Sequence, residues 1–278
     1  MTSDEMRFKA RIKSRAQEDG IRPQVLLQNF MFERFFARLS KAFVRENLVL
    51  KGGALISQYL GLSRRTTMDI DITLRDAPLT RTAVGKLVKS VFAVRLDDGI
   101  NWKLTSVEPI RADDEYGGFR LKVVASLNTI VVPFSIDIST GDAITPAPSD
   151  YYFKSVFEDN AFYRLKAYTI ETVIAEKLEA ILSLGNVSTR PRDYYDAYML
   201  TTAVKFNIRK LRSALKATIA HRGSPDVVGS WKSVLSGIAA SSVMNERWRK
   251  YQREFPFAAD VDFDRICKKL GAIFSKVL

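Results

Sequence analysis

Histidine and cysteine are almost missing from this chain: among its 278 residues His221 and Cys267 each stand alone. A lone cysteine excludes an internal disulfide, and one histidine with one cysteine leaves too few soft ligands for a structural zinc site. Any metal must therefore be held by oxygen. The same scarcity disfavours Ser-His-Asp or Cys-His chemistry, since His221 runs into the loop-like Arg222-Gly223-Ser224-Pro225, far along the chain from the acidic motifs. Long apolar runs are also missing. No stretch approaches the roughly 18 uninterrupted apolar residues of a membrane span, and Met1-Thr2-Ser3-Asp4-Glu5 lacks the basic-then-apolar order of an export signal. The expectation is a cytoplasmic protein with no membrane association. Internal repeats and low-complexity segments are absent as well.

What is abundant is positive charge. Lys and Arg total 43 against 31 acids, a formal charge of +12, so the surface attracts polyanions such as RNA, DNA or an acidic partner. With 46% hydrophobic residues the chain can bury one large core or two modest ones, and two domains are expected. The spacing predicts helices over 6–16 and 25–43 separated at Gly20, a short strand at 48–50, and a helix over 54–60 closed by Gly61. A period-two strand follows over 68–74, then a helix over 80–94 and strands over 102–110, 119–127 and 130–138, the last two joined at Asn128-Thr129. Pro146 and Pro148 suggest a boundary, and from Thr172 onward helices are expected over 173–184, 193–202, 208–221, 227–240, 245–255 and 263–277. The expected fold class is α/β (α+β): a core with a mixed sheet and N-terminal helices over 1–145, followed by a mainly helical domain over 146–278.

Because side chains alternate along a strand, Asp69 and Asp71 project to one side while Ile70 and Ile72 point to the other. Two carboxylates sharing one spot repel unless a proton or cation separates them, and a hard divalent ion is the usual resolution. Alternatively, both acids lie on the solvated face of an amphipathic strand. Asp137 bears on that choice, because it sits in the otherwise apolar Phe134-Ser135-Ile136-Asp137-Ile138, where a lone charge is costly. If its strand adjoins that of Asp69 and Asp71, three carboxylates converge, a set able to hold two magnesium ions.

Other residues fit a nucleotide near these acids. Gly52-Gly53 lies between a strand and a helix, where backbone N–H groups and the helix dipole favour phosphate, with Lys51 beside it. Lys177 takes a face of its helix neighbouring the apolar stripe of Ile174, Leu178 and Ile181. Asp193 and Asp196, spaced i, i+3, share a face near a helix start, although Asp193 can equally be an N-cap. Arg64 and Arg65 before the acidic strand, and Arg190 and Arg192 before Asp193, are candidates for triphosphate or RNA contacts, or form solvated basic loops.

Lys51-Gly52-Gly53-Ala54, Met68-Asp69-Ile70-Asp71, Ile136-Asp137-Ile138, Ala175-Glu176-Lys177-Leu178 and Arg192-Asp193-Tyr194-Tyr195-Asp196, in that order, resemble the motifs of the AbiEii/AbiGii toxin family of nucleotidyltransferases. The resemblance runs from about Ile21 to near the C-terminus and includes Glu115-Tyr116-Gly117-Gly118 and the Trp231-containing tail. It implies a polymerase-beta-like nucleotidyltransferase core joined to a helical domain, acting as the toxin of a toxin–antitoxin pair often linked to abortive infection of phage. It implies Mg2+ (or Mn2+) and a nucleoside triphosphate, and for some members an acceptor at the 3′ end of transfer RNA. By position, Gly53 would help hold phosphate, Asp69 and Asp71 would bind metal with Asp137 as third acid, and Lys177 would steady the triphosphate, with Asp193 and Asp196 forming the last motif. Ala54 departs from the serine common at that point in the superfamily, and Ser57, one turn on, is the candidate substitute.

The expected function is thus transfer of a nucleoside monophosphate to the 3′ hydroxyl of an RNA, with transfer RNA as acceptor and a cognate antitoxin as partner. Two alternatives stand beside it: the same chemistry on a protein or small-molecule hydroxyl, and a non-catalytic module binding nucleic acid or antitoxin.

Overall fold

The structure, a computed structural model, describes residues 3–110, 117–158 and 160–278. Glu115 and Tyr116 of the motif named above lie outside the described residues. Two compact units divide the chain, and neither is one continuous segment: the first holds Met1–Gly141 and Ser149–Ala167, the second Asp142–Pro148 and Tyr168–Leu278.

The first unit is built on a mixed seven-stranded sheet of β1 (Leu48–Lys51), β2 (Asp69–Leu74), β3 (Ile100–Ile110), β4 (Gly118–Leu127), β5 (Ile130–Ser139), β6 (Ser149–Lys154) and β7 (Phe162–Ala167). Their spatial order is β3-β4-β5-β2-β1-β7-β6. Pairing is antiparallel except for β2 with β5 and β1 with β7, which run parallel. The fold is of the mixed α/β class that the alternating and helical periods predict. The strands β6 and β7 are the part that those periods missed. A division between 145 and 146 leaves 149–167 with the helical half, whereas pairing of Leu50 with Ala167 returns these residues to the sheet.

Alternation decides the two sheet faces. Leu48, Leu50, Ile70, Ile72, Ile136 and Ile138 are fully buried on one of them. Burying such a side chain stabilises by about 1.5–3 kcal/mol, so this face fixes the strand register. Helix α2 (Pro23–Leu39) packs there through Phe32 against Phe134 and Phe36 against Phe153, with ring centroids 5.0 and 4.5 Å apart. Helix α1 (Ser3–Glu18) adds Ile12 and Ala16 to a cluster with Leu26, and α4 (Arg81–Phe92) belongs to the same unit. The opposite face carries Lys51, Asp69, Asp71, Asp137 and Arg120, the alternate residues of the same strands.

The second unit contains α5 (Ile170–Leu184), α6 (Pro191–Ala203), α7 (Ile208–His221), α8 (Asp226–Ala240), α9 (Ser242–Glu254) and α10 (Phe263–Val277). Thr169 caps α5 by accepting from the amide of Thr172, whose hydroxyl donates to the carbonyl of Thr145 at 2.8 Å and ties in the detached segment. In α10 the buried Ile266, Leu270, Ile273, Phe274 and Val277 recur at helical spacing. Among the described residues no helix is long and apolar enough to cross a membrane.

Candidate active site

The acids lie where three strands meet. In the parallel register of β2 and β5, Asp71 stands opposite Asp137 and Asp69 opposite Ser135. On the other side, β1 places Lys51 opposite Asp71. Lys51 donates from Nζ to Ser139 Oγ at 2.8 Å, so it reaches over β2 to the end of β5.

The turn from β1 into α3 (Gly52–Leu60) needs its glycines. Gly52 has φ +64°, and a Cβ on it would stand 1.9 Å from Oδ2 of Asp71. A Cβ on Gly53 would meet Thr67 Oγ1 at 2.4 Å. The backbone can therefore press against Asp71, and the Gly53 amide donates to Asp71 Oδ2 at 3.2 Å. That amide, expected to face phosphate, is turned to the carboxylate here. Thr67 donates from Oγ1 to Asp69 Oδ1 at 2.8 Å and fixes the first acid.

Burial, followed by the charge of Asp69, raises the Asp71 pKa; Lys51 and the Gly53 amide oppose the shift, and the charge of Asp137 adds to it. Two acids on one face with oxygen donors and a raised pKa fit a hard divalent cation, which would lower the cost of ionising both. The expected third ligand is a different matter. Asp137 accepts from Arg120 at both oxygens, Nε to Oδ1 at 2.8 Å and Nη2 to Oδ2 at 2.7 Å. Among the described residues no group of three acids, histidines or cysteines is placed to hold a metal ion. Asp137, expected as the third acid, is paired with Arg120 in this structure and stands opposite Asp71 in the neighbouring strand. Arg120 was missed in the sequence because nothing in its own neighbourhood marks it. A signal existed in the Asn128-Thr129 turn, since Leu127 pairing with Ile130 fixes the hairpin so that Arg120 faces Asp137.

The remaining candidates near the glycine turn differ in fate. Ala54 is buried, and Ser57 is 1% exposed with its hydroxyl donating to the Ala54 carbonyl at 2.8 Å. Ser57 is engaged inside its own helix rather than presented to a phosphate. Arg65 is buried, its guanidinium donating to the Thr66 carbonyl and approaching the Gly53 position, whereas Arg64 is exposed.

In the helical unit Lys177 is partly buried and paired with two acids. Its ammonium lies 2.6 Å from Asp193 Oδ1 and 3.3 Å from Asp196 Oδ2. Asp196 is fully buried, and Asp193 is 8% exposed. Asp193 sits in the first turn of α6 after the cap residue Arg190, so the helix's positive end adds to the field holding both carboxylates. Arg190 is exposed, and Arg192 lies with its guanidinium 5.1 Å from the centre of the Phe255 ring.

A family model described as nucleotidyl transferase AbiEii toxin, type IV TA system, matches residues 34–269. No curated protein matches the chain. Similar solved structures include the JHP933 protein of Helicobacter pylori, 20% identical over 91% of this chain and 91% of that one, with a TM-score of 0.47. An antigenic nucleotidyltransferase-like protein from Paracoccidioides brasiliensis is 14% identical over 81% of this chain and 84% of its own, with a TM-score of 0.31.

Proposed function

This chain belongs to the AbiEii family of nucleotidyl transferase toxins from type IV toxin–antitoxin systems, and on that premise we propose that it transfers a nucleoside monophosphate from a nucleoside triphosphate to the 3′ hydroxyl of an RNA, with transfer RNA as the acceptor. The observation that carries the reading is the Asp69/Asp71 pair on one face of β2, with the β1–α3 glycine turn pressed against it. In the reaction the 3′ oxygen bonds to the α-phosphorus as the bridge to the β-phosphate breaks. Pyrophosphate leaves with the bonding electron pair, and the hydroxyl proton passes to a carboxylate of the acidic cluster.

A divalent cation, Mg2+ or Mn2+, held by Asp69 and Asp71 would neutralise the triphosphate and favour loss of the hydroxyl proton. The chain's own residues do the rest. Thr67 and the Gly53 amide hold the two carboxylates in place. Lys177, itself oriented by Asp193 and Asp196, is the candidate cation for the triphosphate. The formal charge of +12 suits an RNA acceptor, whose binding then weakens steeply with salt. Type IV membership implies an antitoxin as the natural partner, and we place abortive infection of phage as its setting.

Incubation with α-labelled nucleoside triphosphates, magnesium and either total RNA or protein extract tests this. Label is expected at RNA 3′ ends and is expected to be lost in Asp71→Asn. Label confined to protein would overturn the RNA acceptor, and no transfer to either would overturn catalysis.

A further inference from the structure

Three carboxylates in neighbouring register need positive charge among them; Lys51 supplies it beside Asp71, and Arg120 supplies it at Asp137. Its side chain projects from β4 on the face that carries Asp69, Asp71 and Asp137. Both of its hydrogen bonds to Asp137 are short and parallel, the two-pronged geometry in which a guanidinium matches a carboxylate best. Asp69 and Asp71 also act on its charge, after the dominant hydrogen bonds and attraction from Asp137. Arg120 therefore lies in the field of the whole cluster.

We propose that Arg120 is an internal counter-ion that competes with a divalent cation for Asp137, so that the acid cluster becomes a complete metal site only when Arg120 lets go. The inference rests on the metal-dependent reading of the Asp69/Asp71 pair. Two features of the pair make the exchange feasible. The Arg120 side chain is 43% exposed, so its guanidinium can turn toward solvent or an incoming phosphate without becoming a buried, unpaired charge. The Asp137 side chain is only 15% exposed, so it requires a cation partner at all times. One positive group replaces another, and the carboxylate is never left alone. Asp69 and Asp71 are held differently, by the Thr67 hydroxyl and the Gly53 amide, with the charge of Lys51 acting on Asp71 from the neighbouring strand. Arg120 is accordingly a positioning residue: it sets whether the third acid faces the metal.

The test is Mn2+ binding to the full chain without nucleotide, followed by electron paramagnetic resonance of free Mn2+. Wild type is compared with Arg120→Gln, Arg120→Lys and Asp71→Asn, and circular dichroism checks each fold. Losing two charge-assisted hydrogen bonds that compete with the ion should tighten Mn2+ binding in Arg120→Gln by about tenfold or more. Arg120→Lys, which keeps the charge but loses the fork, should fall between it and wild type. Equal affinity in wild type and both Arg120 variants overturns the competition while leaving the Asp69/Asp71 site standing, provided Asp71→Asn binds more weakly. Weaker binding in Arg120→Gln also overturns it, by showing that Arg120 supports the site. No Mn2+ bound by any of them removes the metal-dependent reading itself. If Arg120→Gln fails to fold, the lysine variant alone decides: tighter binding than wild type supports the competition, and equal or weaker binding overturns it.

Discussion

Gly52 and Asp71 are in such close approach that a single added carbon cannot fit between them. The Cβ of an alanine at 52 would lie 1.9 Å from Asp71 Oδ2 and 2.6 Å from Asp71 Cβ, so rotating the carboxylate away does not relieve the clash. The positive φ adds about 1–2 kcal/mol of strain for any residue with a side chain. Gly52→Ala is therefore expected to lower the melting temperature and to reduce nucleotide transfer by about a hundredfold or more, since a displacement near 1 Å at a reacting centre has that scale of effect. Wild-type rates in a folded Gly52→Ala would show that Asp71 does not need this turn.

Lys177→Ala bears on stability as well as activity. Removing the ammonium takes a close cation from Asp193 and from the fully buried Asp196. Loss of one partner of a buried pair costs about 2–3 kcal/mol here, with Lys177 itself partly exposed. Urea unfolding should show the loss, and adding Asp196→Asn to Lys177→Ala should recover part of it. A double variant no more stable than Lys177→Ala would count against the pairing as the cause.

Ser57→Ala is expected to leave the KM for nucleotide unchanged and stability within about 1 kcal/mol, because the hydroxyl donates to the Ala54 carbonyl within its own helix. A rise in KM of several-fold without unfolding would restore Ser57 as a phosphate contact.

Asp98 gives the first unit a defined acid sensitivity. Burial disfavours its ionisation, but the hydrogen bonds from Arg38 and the Ile100 amide and the charges of Arg38 and Arg34 outweigh it, leaving the pKa lowered. A carboxyl with a lowered folded pKa contributes stability that is present above its unfolded value and is lost as pH falls through the folded one. Wild type should therefore lose this contribution progressively below about pH 4. Asp98→Asn lacks it throughout and leaves the guanidinium of Arg38, 3% exposed, without its bidentate partner. At pH 7 the variant should be less stable by about 3 kcal/mol, a gap that narrows on acidification. A gap constant from pH 7 to 3 would reject this linkage.

Much of the fold was legible because its signals are local. The alternation Asp69-Ile70-Asp71-Ile72 marks a strand with acids on one side, and it forms one with Ile70 and Ile72 fully buried. The helical half was equally readable from the spacing of residues such as Ile266, Leu270 and Phe274. Strands β6 and β7 escaped because their warrant is remote: the β6–β7 pair meets the rest of the sheet where β7 lies beside β1, more than a hundred residues earlier in the chain. The pairing of Lys177, itself a candidate from the sequence, escaped for a similar reason, since a helix face alone cannot show that α6 brings Asp193 and Asp196 to it.

Local order in the chain settled that Asp69 and Asp71 share a side, that glycines follow β1, and that oxygen must hold any metal, because backbone alternation and composition depend on no distant contact. Only the tertiary structure decided which strand lies beside β2, and hence that Asp137 stands opposite Asp71 with Arg120 already on it. A charged side chain takes whichever opposite charge the packed strands bring nearest, and that choice is made in space rather than along the sequence.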